Sequence, residues 1–180
     1  MPFEPLQILS GAVLGFATTG GLRWWQYRRD LWLARVEGFC KAVEEAADQA
    51  SDYWLKSKKA KKLKDNDAEE RRKIRVAEVK LIGLQIKIDG LFVSIENRLL
   101  NKDQERIQSL LNDLTEALTG GDFEVMVRSR DEDRARLCQS CASEIVVLAR
   151  TSSDRALNFA GTIRSIRERA DERQRASMGL

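Results

Sequence analysis

The chain has 180 residues, 33 % of them charged and 43 % apolar, and its 31 Lys and Arg against 28 Asp and Glu leave a net charge of +3. That length builds one domain with a hydrophobic core, and the only two prolines, Pro2 and Pro5, leave everything after residue 5 open to helix. No histidine occurs, which excludes His-based zinc sites, Ser-His and Cys-His nucleophile pairs, histidine-ligated haem and Glu-x-x-His di-iron motifs.

Residues Leu6 to Leu22 carry no charge. As a helix they reach about 25 Å, slightly short of the ~30 Å hydrocarbon layer of a bilayer. The apolar side chains Leu6, Ile8, Leu9, Val13, Leu14, Phe16 and Leu22 predict a membrane anchor. Trp24, Trp25 and Tyr27 follow as an aromatic belt at headgroup level. Pro5 suits the first helical turn, where its missing N–H has no partner to lose. No Lys or Arg precedes the apolar run, so a secretory signal or a mitochondrial presequence fits poorly. Arg23, Arg28, Arg29 and Arg35 all lie after the run, and positive residues stay cytoplasmic. The expected topology is therefore a single pass through the cell (inner) membrane, N-terminus out and body in the cytoplasm. The competing reading is an apolar arm of a soluble subunit that inserts into a partner. Gly11 and Gly15 form a G-x-x-x-G pair that Thr19 continues, a spacing that lets two helix backbones approach closely.

Beyond the arginines the chain reads as long amphipathic helices, expected at about 30–63, 68–99, 102–119 and 130–173. On the first, Trp32, Val36, Phe39, Val43, Ala46, Ala50 and Tyr53 step 4-3-4-3-4-3 as one narrow heptad seam, and this helix is able to continue the N-terminal one. Lys56, Lys58, Lys59, Lys61, Lys62 and Lys64 mark its end. They form a candidate docking patch for an acidic partner, although lysines there also suit the helix dipole and keep a hairpin tip soluble. Asp65-Asn66-Asp67 predicts the turn, with Asp67 as N-cap and Glu70 as its capping-box partner.

The second helix carries Ile74, Ala77, Leu81, Leu84, Ile88, Leu91 and Ile95, stepping 3-4-3-4-3-4, and should pack antiparallel on the first. Asn101 with Gln104 predicts the next cap. Ile107, Leu110, Leu111, Leu114 and Leu118 form the third helix, which Gly120-Gly121 ends. Phe123, Val125 and Val127 are expected to pack on the bundle. Ser129 with Glu132 predicts a fourth helix bearing Cys138, Cys141, Ile145, Leu148, Phe159, Ile163, Ile166 and Ala170. Thr151-Ser152-Ser153-Asp154 is expected to bend or restart it. The fold class that follows is all-α: an N-terminal membrane anchor with its aromatic and arginine flank (1–29), whose single-pass transmembrane helix covers 6–27, followed by a cytoplasmic antiparallel four-helix bundle (30–180) with long heptad-patterned helices.

Chemistry is harder to find. Cys138 and Cys141 form a lone C-x-x-C on an apolar stripe, without a second pair for zinc or a neighbouring strand for redox work. They read as small buried hydrophobes, and Cys40 does too. An odd number of cysteines, three, argues against a disulfide framework. No Asp or Glu recurs on an apolar stripe, and Gly120-Gly121-Asp122 lacks the Lys-Ser/Thr of a phosphate loop. No catalytic residue, metal ligand, cofactor or small-molecule substrate is expected, and few aromatics near the lysines speak for nucleic acid. The residues carry no family signature. They predict a membrane-anchored helical scaffold or adaptor, touching lipid through residues 6–27 and touching a protein partner or further copies of itself. A pore-forming effector regulated by its bundle and a soluble subunit with an inserting arm are the alternatives.

Overall fold

In the computed structural model, which describes residues 4–56, 67–121, 123 and 130–157, the side chains of 4–19, 67, 68 and 70 are excepted. Among those residues the chain is all helix: α1 (Glu4–Leu55), α2 (Asp67–Glu96), α3 (Asn101–Thr119) and α4 (Glu132–Leu157). It divides into two compact units, Met1–Ala34 and Arg35–Leu180.

In the first unit α1 is already helical from Glu4, and every side chain from Gly20 to Leu31 is exposed. The anchor expectation meets a correction here. No helix among the described residues is long and apolar enough to cross a membrane. The physical reason is dilution: four glycines, two threonines, Ser10 and Gln7 occupy eight of the seventeen positions from Leu6 to Leu22.

The second unit is a helical bundle. Glu37 and Glu44 of α1 meet Arg150, Asp48 meets Gln139, and Ser51 donates to the Ala135 carbonyl. Partners on α4 descend as those on α1 ascend, so the two helices run antiparallel. The same order holds between α1 and α2, through Phe39 with Phe92, Glu45 with Lys87 and Tyr53 with Glu78. It holds again between α3 and α4, through Asp103 with Ser152, Arg106 with Glu144 and the Glu116 carbonyl with Arg134.

The seam on α1 is wider than the heptad alone predicts. Cys40, Ala42, Ala47 and Trp54 are buried beside Val36, Phe39, Val43, Ala46, Ala50 and Tyr53. A helix with neighbours on two sides must bury two stripes, and small residues let both approach. On α2, Leu81, Leu84, Ile88 and Ile95 are buried as expected, while Phe92 is buried next to a half-buried Leu91. All five apolar positions expected of α3 are buried.

The helix ends differ from expectation in ways that hydrogen bonds explain. α1 ends at Leu55 and α2 opens at Asp67, with the turn between them outside the described residues. The N-cap of α3 is Leu100, not Asn101, and Gln104 reaches back to Glu96. Asp131 caps α4 by accepting the Arg134 N–H at 2.9 Å; Ser129 lies outside the described residues. Gly120 closes α3 by bonding Glu116, and Gly121 takes the left-handed φ of 61°. α4 continues through Thr151–Asp154 without a break. The Thr151 hydroxyl bonds back to Val147 and Leu148, and Ser152 finds Asp103, so these cap-type residues keep partners inside a helix. Phe159, Ile163, Ile166 and Ala170 lie outside the described residues, as do Val125 and Val127.

Candidate functional site

The most unusual surface is the stretch of α1 from Gly20 to Leu31. Leu22, Trp24, Trp25, Tyr27 and Leu31 are all exposed, Tyr27 by 66 % and Trp24 by 60 %. Indole and phenol rings turned to water forfeit the burial that usually stabilises them, at roughly 1.5 kcal/mol or more per ring. The helical period then organises cations around them. Arg28 stands one turn after Trp24, with its guanidinium carbon 4.5 Å from the ring centre, and Arg29 stands 5.8 Å from the Trp25 ring. Each guanidinium lies over an aromatic ring in a cation–π arrangement. A surface of this kind suits an environment that is apolar on one side and wet or anionic on the other.

The remaining anchor positions, Leu6, Ile8, Leu9, Val13, Leu14 and Phe16, and the small-residue stripe Gly11, Gly15 and Thr19, are on the helical backbone of α1. Of the lysine run, Lys56 is exposed at the end of α1, and Lys58, Lys59, Lys61, Lys62 and Lys64 lie outside the described residues.

The cysteines are thiols buried in the bundle, with no disulfide. Burial pushes Cys40 up to about 11 and Cys138 up to about 12, and it raises Cys141 as well. Thiols held in their neutral form are poor nucleophiles and poor metal ligands.

Two carboxylates that sequence reasoning missed are buried: Glu78 is 4 % exposed and Asp103 is 8 % exposed. Tyr53 Oη donates to Glu78 Oε1 at 2.9 Å. Asp103 accepts from Ser152 Oγ at 2.6 Å and from Arg155 Nη1 at 3.2 Å. Each links two helices, Glu78 joining α2 to α1 and Asp103 joining α3 to α4. A signal existed in the pattern: Glu78 adjoins Ala77 on the apolar stripe, and Asp103 sits one turn before Ile107. Beside Glu78 a cluster forms in which Phe123 lies 5.3 Å from Tyr53 and Arg134 lies 4.7 Å over Trp54. Phe123 thus packs on the bundle as its apolar character predicted.

No known protein family, curated protein or solved structure matches this chain.

Proposed function

We propose that this protein is a membrane-associated, non-enzymatic helical scaffold whose N-terminal helix holds it at the bilayer while its bundle contacts other proteins. The observation that carries the reading is the exposed belt of Trp24, Trp25 and Tyr27 with Arg28 and Arg29 stacked on the two indoles. Aromatic rings favour the headgroup layer, and the arginines add attraction to anionic lipid there. The uncharged run from Leu6 to Leu22 supplies the apolar contact beyond the belt. With four glycines it is not apolar enough to span by itself. Self-association through Gly11, Gly15 and Thr19 strengthens it by replacing lipid packing with backbone-to-backbone packing. In the spanning arrangement the arginines place the bundle in the cytoplasm, beneath the inner membrane. Lys56 and the lysines after it then offer a basic docking patch to an acidic partner.

Fractionation of cells expressing the full chain tests this. The protein is expected with the membranes, resisting an alkaline carbonate wash if the helix spans and leaving with it if the helix lies in the interface. Gly11→Leu or Gly15→Leu is expected to weaken its oligomer in mild detergent, and an unchanged oligomer removes the glycine stripe from the scheme.

A second reading has one observation in its favour. Because no helix among the described residues is long and apolar enough to cross a membrane, the same segment also suits an arm seated in a groove of a partner protein. That reading predicts a cytosolic protein that aggregates when made alone.

A further inference from the structure

α2 carries a second stripe that the bundle does not cover. Val76, Val79, Gly83, Ile86, Gly90 and Val93 step 3-4-3-4-3 along the face opposite its buried one. Val79 is 63 % exposed, Ile86 68 % and Val93 59 %, and a Cβ added at Gly83 or Gly90 would meet nothing within 4 Å. A solvated helix face has no use for this pattern. Heptad aliphatics in water lose burial, and each interior glycine costs the helix roughly 1 kcal/mol relative to alanine.

We propose that this face of α2 is a dimer interface, on which a second copy of the chain lies antiparallel. The stripe is complementary to itself in that direction. Centred between Gly83 and Ile86, an antiparallel copy sets its Val93 opposite Val76, its Gly90 opposite Val79 and its Ile86 opposite Gly83. Every glycine thereby receives a larger aliphatic, a knob entering a hole that the absent side chain leaves open. Charge follows the same order. Arg75, beside the stripe at its start, comes next to Glu96 of the second copy, and the two-fold axis repeats the pair. Lys87, the cation nearest the middle, is already paired with Glu45 at 3.5 Å, which tempers repulsion across the axis. The stripe is about 26 Å long at 1.5 Å per residue. A two-helix contact of that length buries on the order of 1,000 Å², the low end for a specific interface, so the dimer is weak and depends on concentration.

This interface is separate from the N-terminal helix and does not rest on the membrane reading. Sedimentation of the full chain in mild detergent across a concentration series tests it, with Gly11→Leu and Gly15→Leu present in every sample so that the N-terminal stripe does not contribute. With α2 unaltered, the chain is expected to pass from monomer to dimer. Ile86→Lys, at a position too exposed to disturb folding, is expected to weaken the dimer about a hundredfold, because each dimer loses two isoleucines from its centre. Gly83→Ala is expected to raise helix stability while weakening the dimer, opposite effects that a merely idle glycine would not produce. Orientation is read by oxidative cross-linking: a Val76→Cys chain is expected to join a Val93→Cys chain and not a second Val76→Cys chain. A monomer at every concentration with α2 unaltered would overturn the proposal. So would an unaltered dimer in Ile86→Lys, or cross-linking of Val76→Cys to itself.

Discussion

Arg28 holds its guanidinium 4.5 Å above the ring of Trp24, one turn away on a stretch of α1 where every side chain is exposed. In water such a pair contributes about 0.5–1 kcal/mol. That is too little to justify leaving two indoles and a phenol outside a core, so the pair makes most sense in the layer where indoles and guanidinium groups are both favoured. Trp24→Ala and Trp25→Ala are each expected to lower affinity for anionic vesicles about tenfold, measured by co-sedimentation. Helicity by circular dichroism should be unchanged, since neither ring packs in a core.

Asp103 is the buried acid to perturb. Its carboxylate takes hydrogen bonds from Ser152 and Arg155 of α4 while sitting in the first turn of α3. Asp103→Ala strands the Ser152 hydroxyl, which is 1 % exposed, and is expected to cost about 2–3 kcal/mol in urea unfolding. Arg155 is half exposed, so Arg155→Ala should cost less, about 1 kcal/mol or under.

Gly121 has a backbone requirement. Its φ is 61°, and a Cβ there would lie 2.6 Å from the Arg134 guanidinium. Gly121→Ala is expected to destabilise by about 1–2 kcal/mol. Gly38→Ala in α1, where an added Cβ meets nothing, should stabilise by about 0.5–1 kcal/mol. Thermal melts of the two variants should therefore move in opposite directions.

The cysteines give a pH dependence. Unfolded thiols ionise near 9.0, whereas burial holds Cys40 to about 11 and Cys138 to about 12. Above pH 9 the unfolded state binds fewer protons than the folded one, so the contribution present below pH 9 is lost as pH rises toward the folded values. The urea midpoint should fall more steeply with alkaline pH in wild type than in Cys40→Ala/Cys138→Ala. Thiol labelling of the native protein should proceed only as fast as it opens.

The sequence disclosed the bundle because its strongest signals are periodic. The steps Leu81, Leu84, Ile88, Ile95 and Ile107, Leu110, Leu111, Leu114, Leu118 are buried where heptad spacing puts them. Less legible was anything that depends on a third dimension. Ser152 reads as a helix breaker until Asp103 is placed beside it, and Glu78 reads as a solvated acid until Tyr53 meets it. The outer stripe of α2 was present in the sequence, but an exposed seam and a buried one carry the same period. Only the direction in which the bundle lies separates them. Length and absence of charge made the run from Leu6 to Leu22 resemble a span, and its glycines and hydroxyls leave the helix too little apolar to be one.

Membrane association is tested most directly by floating the full chain through a density gradient with vesicles of mixed neutral and anionic lipid, beside the Trp24→Ala/Trp25→Ala variant. The wild-type chain is expected to rise with the vesicles and the variant to lag behind it. A wild-type chain that stays at the bottom with its helices intact would contradict the membrane role and leave the N-terminal helix as an arm for another protein.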